Sequence, residues 1–213
     1  SEDFFTGAVV PLLFMLGEPE ATEYFRCLRD EVGDRVARGI GVIPEERYRF
    51  LWMGIPPWYN LGFFNAVGEL GAVFPIETVY FVGAPVEIDL GDPLEALVER
   101  SWKRAIWIHD WGAEVIPENC SPSGFSAPGT RLIRQWVKDY RLDGAVMHRT
   151  RSCRAVSWGQ VHIKNQLAEE GIPSLIIESD MADPRSWSQS VIMGQVRGFL
   201  GAVEASKREA ARA

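Results

Sequence analysis

Arg149, Arg151 and Arg154 crowd around Cys153 in the stretch RTRSCRA, within a chain whose formal net charge is -7. Cations beside a thiol and a helix N-terminus after it both favour the thiolate. A thiolate serves as a nucleophile, a redox centre or a metal ligand, and neighbouring cations do not choose among these. The plain alternative is a small packed side chain with incidental arginine neighbours. A nucleophile would want a base within reach, and His148 and His162 lie close in sequence. Both positions also suit hydrogen-bonded structural histidines, one at a strand end and one at amphipathic spacing.

Two further stretches carry candidate groups. In GIPPW, Gly54, Ile55, Pro56 and Trp58 make a rigid turn with few backbone donors, suited to a wall for a flat or acyl substrate and not to a phosphate cradle. Helix packing is the competing role for Trp58. In ESDMADPR, Glu178 and Asp180 orient a ligand, move a proton or pair with the arginines, and Asp183 before Pro184 reads as a turn or N-cap residue. Ion pairing at the loop edge is the expected state of these carboxylates, with Arg197 serving a similar pair. Cys27, among large apolar neighbours, reads as a core thiol, and Cys120 sits in a long loop. The cysteines lack the close spacing of a zinc site, and no GxGxxG or P-loop follows the first strand.

These residues need a scaffold that gathers them. The segment EPEATEYFRCLRDEVGDRVARG places Tyr24, Leu28, Val32 and Val36 on one helical stripe, so residues 1–44 read as a helical lead-in or linker. Over 45–213 strand and helix patterns alternate: YRFLWMG, AVFPIETVYF, GAVMH and PSLIIE as strands, with helices between and after them. That alternation predicts an α/β domain with a mainly parallel sheet and helices on both faces. All strand C-termini then share one edge, where ligands bind. The loops GIPPW, RTRSCRA and ESDMADPR all leave that edge.

With 46% hydrophobic residues in 213, the chain is long enough for a sizeable core. Its acidity argues against nucleic acid as a partner, and its apolar runs are too short to span a bilayer, so no membrane partner is expected. Three cysteines without paired spacing argue against a disulfide framework and for a reducing, cytoplasmic setting.

The ordered set RYRFLWMGIPPW, GAEVIPENCSPSG, DGAVMHRTRSCRAVS, EEGIPSLIIESDMADPR and GQVRGFLGAVE resembles the C-terminal half of subunits of the benzoyl-CoA reductase and 2-hydroxyacyl-CoA dehydratase family. The resemblance implies a Rossmann- or flavodoxin-like domain. It implies a [4Fe-4S] cluster with Cys153 as one ligand, the other cysteines coming from an N-terminal domain that these residues do not include. Gly54, Ile55, Pro56, Trp58, Arg151, Ser152 and Asp180 would then border the pocket of an aryl-CoA or acyl-CoA thioester. A homologous second subunit and an ATP-dependent activator that donates electrons are the implied partners. The W-x-GIPPW context favours the aromatic-ring reductases, with a 2-hydroxyacyl-CoA dehydratase component as the alternative. A cluster-free anion-binding or interaction module is the reading outside the family. On this resemblance the 213 residues are a fragment of a subunit about twice as long.

Overall fold

The computed structural model describes residues 2–80, 89, 91–114, 127–157 and 159–212, without side chains over 104–114 and 127–132 or at 210. Four strands, β1 (Tyr48–Met53), β2 (Ala72–Glu77), β3 (Gly144–Thr150) and β4 (Ser174–Ser179), pair in the order β2-β1-β3-β4. Every pairing is parallel, as the strand and helix alternation predicts. The chain leaves β1 for one side and later returns to the other side. The order therefore reverses between β1 and β3, and the crevice beyond their carboxyl ends is the expected ligand position.

The strands' period of two sorts their side chains onto two cores. Tyr48, Phe50, Trp52, Val146 and Ile177 face one, covered by α4 (Gly62–Gly68) and by Ile192, Met193, Val196 and Phe199 of α9 (Gln189–Ala210). Leu51, Ala145 and Met147 face the other, under Ile133 and Trp136 of α6 (Ala127–Asp139) and Ile163 and Leu167 of α8 (Gln160–Glu169). Helices thus cover both faces. In β2 the register against β1 slips by one residue between Val73 and Ile76, around Pro75, because proline has no N–H to give to the ladder. A long helix, α5 (Pro93–Glu114), precedes α6.

The lead-in differs from its expected packing. Its first turns, α1 (Glu2–Phe4), a π-helical turn (Phe5–Val9) and α2 (Val10–Phe14), insert Phe5 and Val9 into the same core as β1 and α9. By contrast α3 (Pro19–Ala37) buries only Ala21. Tyr24, Val32 and Val36 of the anticipated stripe are exposed, and so is Cys27, whose sulfur lies 3.8 Å from Glu23 Oε1. The core-thiol reading of Cys27 is corrected accordingly. The stripe is narrow and flanked by i,i+4 ion pairs such as Glu31–Arg35 and Asp34–Arg38, which suit a solvated helix. Among the described residues no helix is long and apolar enough to cross a membrane.

Candidate functional site at the carboxyl edge of the sheet

β3 runs two residues further than its apolar run suggests, through Arg149 and Thr150, because Arg149 and Glu178 are register partners on the exposed face. The loop that carries Cys153 is therefore short. It passes through Arg151 and Ser152 into a single helical turn, α7 (Arg154–Ser157), and Gly159 at φ 75° breaks the chain before α8. One continuous helix after Cys153 is thus replaced by two pieces. The Cys153 amide donates to Thr150 O at 3.4 Å, and its side chain is partly exposed at the sheet edge, away from both cores.

The arginines are engaged. Arg151 Nε lies 3.0 Å from Glu178 Oε1, and Arg149 Nη1 lies 3.9 Å from Glu178 Oε2. Arg154 has no ion pair among the described residues. These side chains, with Thr150 and Ser157, line an open cleft of about 330 Å³. Three guanidiniums face one carboxylate there, so the cleft is cationic in a chain that is acidic overall. Exposed pairs of this kind contribute about 0–1 kcal/mol, and an incoming anion displaces Glu178 at little cost.

Asp180 takes neither an ion pair nor an open position. It is buried, and its Oδ2 accepts from the Ser152 amide at 3.1 Å, while Oδ1 accepts from the amides of Ala182 at 2.9 Å and Asp183 at 3.1 Å. The Ser152 hydroxyl and these amides hold its carboxyl far below the usual carboxylate range. Asp180 therefore latches the loop after β4 to the residue before Cys153. Asp183 caps the short 3-10 helix Pro184–Ser186 and pairs with Arg185, as its place before proline predicts. Arg197 is exposed and, among the described residues, unpaired, because α9 turns that position outward.

The GIPPW turn meets the other two loops through backbone. Gly54, at φ 109°, is packed against the carbonyl of His148. Pro56 is buried, and the Trp58 amide donates to Met181 O at 3.2 Å. The Trp58 ring packs edge-on between Phe5 and Tyr80, at centroid distances of 5.9 and 5.8 Å, so much of it serves packing. None of these residues lines the arginine cleft, whereas Arg151 does. Ser152 and Asp180 are bonded directly, and Gly54 and Ile55 reach them only through His148 and Ser179.

His148 is fully buried, stacked on Trp52 at 5.9 Å, with Nδ1 2.5 Å from Ile55 O and Nε2 2.6 Å from Ser179 Oγ. Burial pushes its pKa down, against the opposing effects of the Ile55 carbonyl and the Asp180 charge. The structural role foreseen for it holds. His162, in contrast, is exposed on α8. The sequence patterns did not single out Gln160, whose side-chain amide donates to His148 O at 2.9 Å, or Glu77. Glu77 ends β2, is buried, and accepts from the amides of Val79 and Tyr80; burial raises its pKa. A lone acid closing an apolar strand was the available signal.

The depressed His148 pKa has a pH signature. As pH falls below about 6.5, the unfolded state takes up a proton that the native state refuses, so stability drops. Urea midpoints should fall between pH 7.5 and pH 5.5, by at most about 1.4 kcal/mol per pH unit from this group. Asp180 and Asp183, with lowered values, act only below about pH 4. A flat profile from pH 7.5 to 6 would contradict a neutral buried imidazole.

Known proteins share this sequence pattern. The family model described as 2-hydroxyglutaryl-CoA dehydratase, D-component, matches residues 2–202. One of the two kinds of chain that make up the benzoyl-CoA reductase of Thauera aromatica is 24% identical over 92% of this chain and 45% of its own length. The (R)-2-hydroxyisocaproyl-CoA dehydratase alpha subunit of Clostridioides difficile is 24% identical over 97% of this chain and 47% of its own. The alpha subunit of (R)-2-hydroxyglutaryl-CoA dehydratase of Acidaminococcus fermentans is 26% identical over 89% of this chain and 36% of its own. The chain thus spans less than half the length of these curated relatives.

Proposed function

We propose that this chain, which belongs to the 2-hydroxyglutaryl-CoA dehydratase D-component family, is the C-terminal domain of an iron-sulfur subunit in a multi-subunit, ATP-dependent reductase of the benzoyl-CoA reductase type. In this reading Cys153 contributes one thiolate to a [4Fe-4S] cluster. The loops after β1, β3 and β4 border the pocket of an aryl-CoA thioester that receives electrons at low potential. A homologous second subunit and an ATP-dependent activator complete the system.

The observation that carries the reading is the placement of Cys153. Its thiol sits at the carboxyl edge beside the β1/β3 reversal, in a loop latched by Asp180 and next to a cationic cleft. Thiolate-ligated clusters are anionic, and neighbouring cations and amide donors tune them. Among the described residues no group of three or more histidine, cysteine or acidic side chains could hold a metal, and Cys27 lies on exposed α3. Cys120 lies outside the described residues. A cubane needs about four thiolates, so in this reading the remaining ligands come from outside these 213 residues. Within the chain, Asp180 and Ser152 fix the loop, and Arg149, Arg151 and Arg154 supply positive charge for the cluster or the thioester's anionic groups.

A second reading within the family, a 2-hydroxyacyl-CoA dehydratase component, is favoured by the description of the family model and by the dehydratase alpha subunits among the relatives. Both readings share the Cys153 test. Full-length protein purified without oxygen should lose most of its iron and its reduced-cluster electron paramagnetic resonance signal on Cys153→Ser, while Cys27→Ser leaves both intact. Wild-type iron content in Cys153→Ser would refute the ligand assignment. Iron-free wild-type protein would favour the cluster-free anion-binding module.

A further inference from the structure

The hydrogen bonds around His148 fix its tautomer. Ile55 O can only accept, so Nδ1 must carry a proton. In the neutral ring Nε2 is then bare and accepts from the Ser179 hydroxyl at 2.6 Å. That hydroxyl has a second partner, the Asp180 carbonyl at 3.4 Å, and it has one proton to give. The two partners compete for it. When Nε2 gains a proton it becomes a donor to Ser179 Oγ, and the hydroxyl must turn its own proton toward Asp180 O. No hydrogen bond is lost; the chain of donors reverses.

We propose that His148 is a positioning residue whose protonation state is relayed through the Ser179 hydroxyl to Asp180, and thence through the Asp180 carboxylate to the Ser152 loop. The relay has a fixed frame. Asp180 O already accepts from Tyr59 Oη at 3.0 Å, and the Asp180 amide donates to Ser186 Oγ at 2.8 Å. A second donor arriving at that carbonyl alters the residue that holds the Ser152 amide at 3.1 Å. The elements packed on the ring contribute little competing charge. Trp52 from β1, Gln160 from α8 and Ser179 from β4 are neutral, and Glu178 points to the opposite face of β4. Asp180 is the charged group acting on His148 among the described residues. The significance of the relay rests on the reading that the Ser152–Cys153 loop belongs to the functional site; its existence does not.

Nitrogen-15 and amide NMR of the full chain tests it between pH 8 and pH 5. At pH 7.5 the His148 ring should show a protonated Nδ1 and a bare Nε2. On acidification the Ser152 and Asp180 amide shifts should move through the same midpoint as the ring. In Ser179→Ala the ring should still titrate while the Ser152 amide loses that step. A ring protonated on Nε2 at pH 7.5 would overturn the proposal, as would a Ser152 step absent in wild type or undiminished in Ser179→Ala. Iron content enters none of these readouts, so failure of the cluster assignment is distinguishable from failure of the relay.

Discussion

Gly54→Ala should lower the unfolding free energy by about 4 kcal/mol and the Tm by ~10 °C. Gly54 ends the central strand β1 at φ 109°, a backbone conformation that costs an L-residue about 1–3 kcal/mol. A Cβ there would also stand 2.6 Å from His148 O, well inside contact distance. The obstructing atom belongs to the backbone of β3 and cannot swing away, so relief requires β1 and β3 to part, at a further ~1–3 kcal/mol. Gly194→Ala and Gly198→Ala provide the opposite sign. Both glycines lie on the exposed side of α9 with nothing within 4 Å of an added Cβ, and each change should raise stability by about 0.5–1 kcal/mol. Urea unfolding of the three variants gives the comparison. A Gly54→Ala midpoint equal to wild type would mean that the turn leaving β1 is not the one described.

Trp52→Ala should cost a similar amount, about 4 kcal/mol. The indole is 1% exposed and meets Phe63, Phe64 and Phe74 at centroid distances of 5.8, 4.8 and 5.5 Å. Its Nε1–H donates to Gly54 O at 2.8 Å, so truncation opens a cavity and also leaves a buried carbonyl without its donor. Trp52→Phe, which refills most of the volume but not the hydrogen bond, should cost about 1–2 kcal/mol. Because Trp52 and Gly54 act on the same turn, the double variant should be less destabilised than the two single effects added. Denaturant midpoints with near-ultraviolet circular dichroism measure this. A loss below about 1 kcal/mol for Trp52→Ala would contradict its place in the core. Both changes act on the strand end that holds His148 and Ile55 in place, so site geometry and fold stability are coupled here.

Much of the architecture was legible in the chain. YRFLWM and GAVMH are apolar enough to be buried on both faces, which distinguishes central parallel strands from half-exposed ones, and glycines and prolines punctuated the connections. The three loops of the carboxyl edge followed from strand direction alone. The packing of α3 was not legible, because an amphipathic stripe records a capacity to bury and cannot say whether a partner surface lies opposite it. Cys27 was misplaced for that reason.

At the site, residue types disclosed a cationic, thiol-bearing loop, and the family resemblance that they carry was matched by the family model. Sequence fixes which groups a loop offers, since composition and strand order are local or topological properties. Which group meets which was decided only in three dimensions. Glu178 turned outward to Arg149 and Arg151, and Asp180 turned inward to amides, because neighbours on a strand point to opposite faces and the register with β3 assigns each its partner. The bonds from His148 to Ile55 and Ser179 span 93 and 31 residues, and only the closed sheet brings such atoms within hydrogen-bond reach.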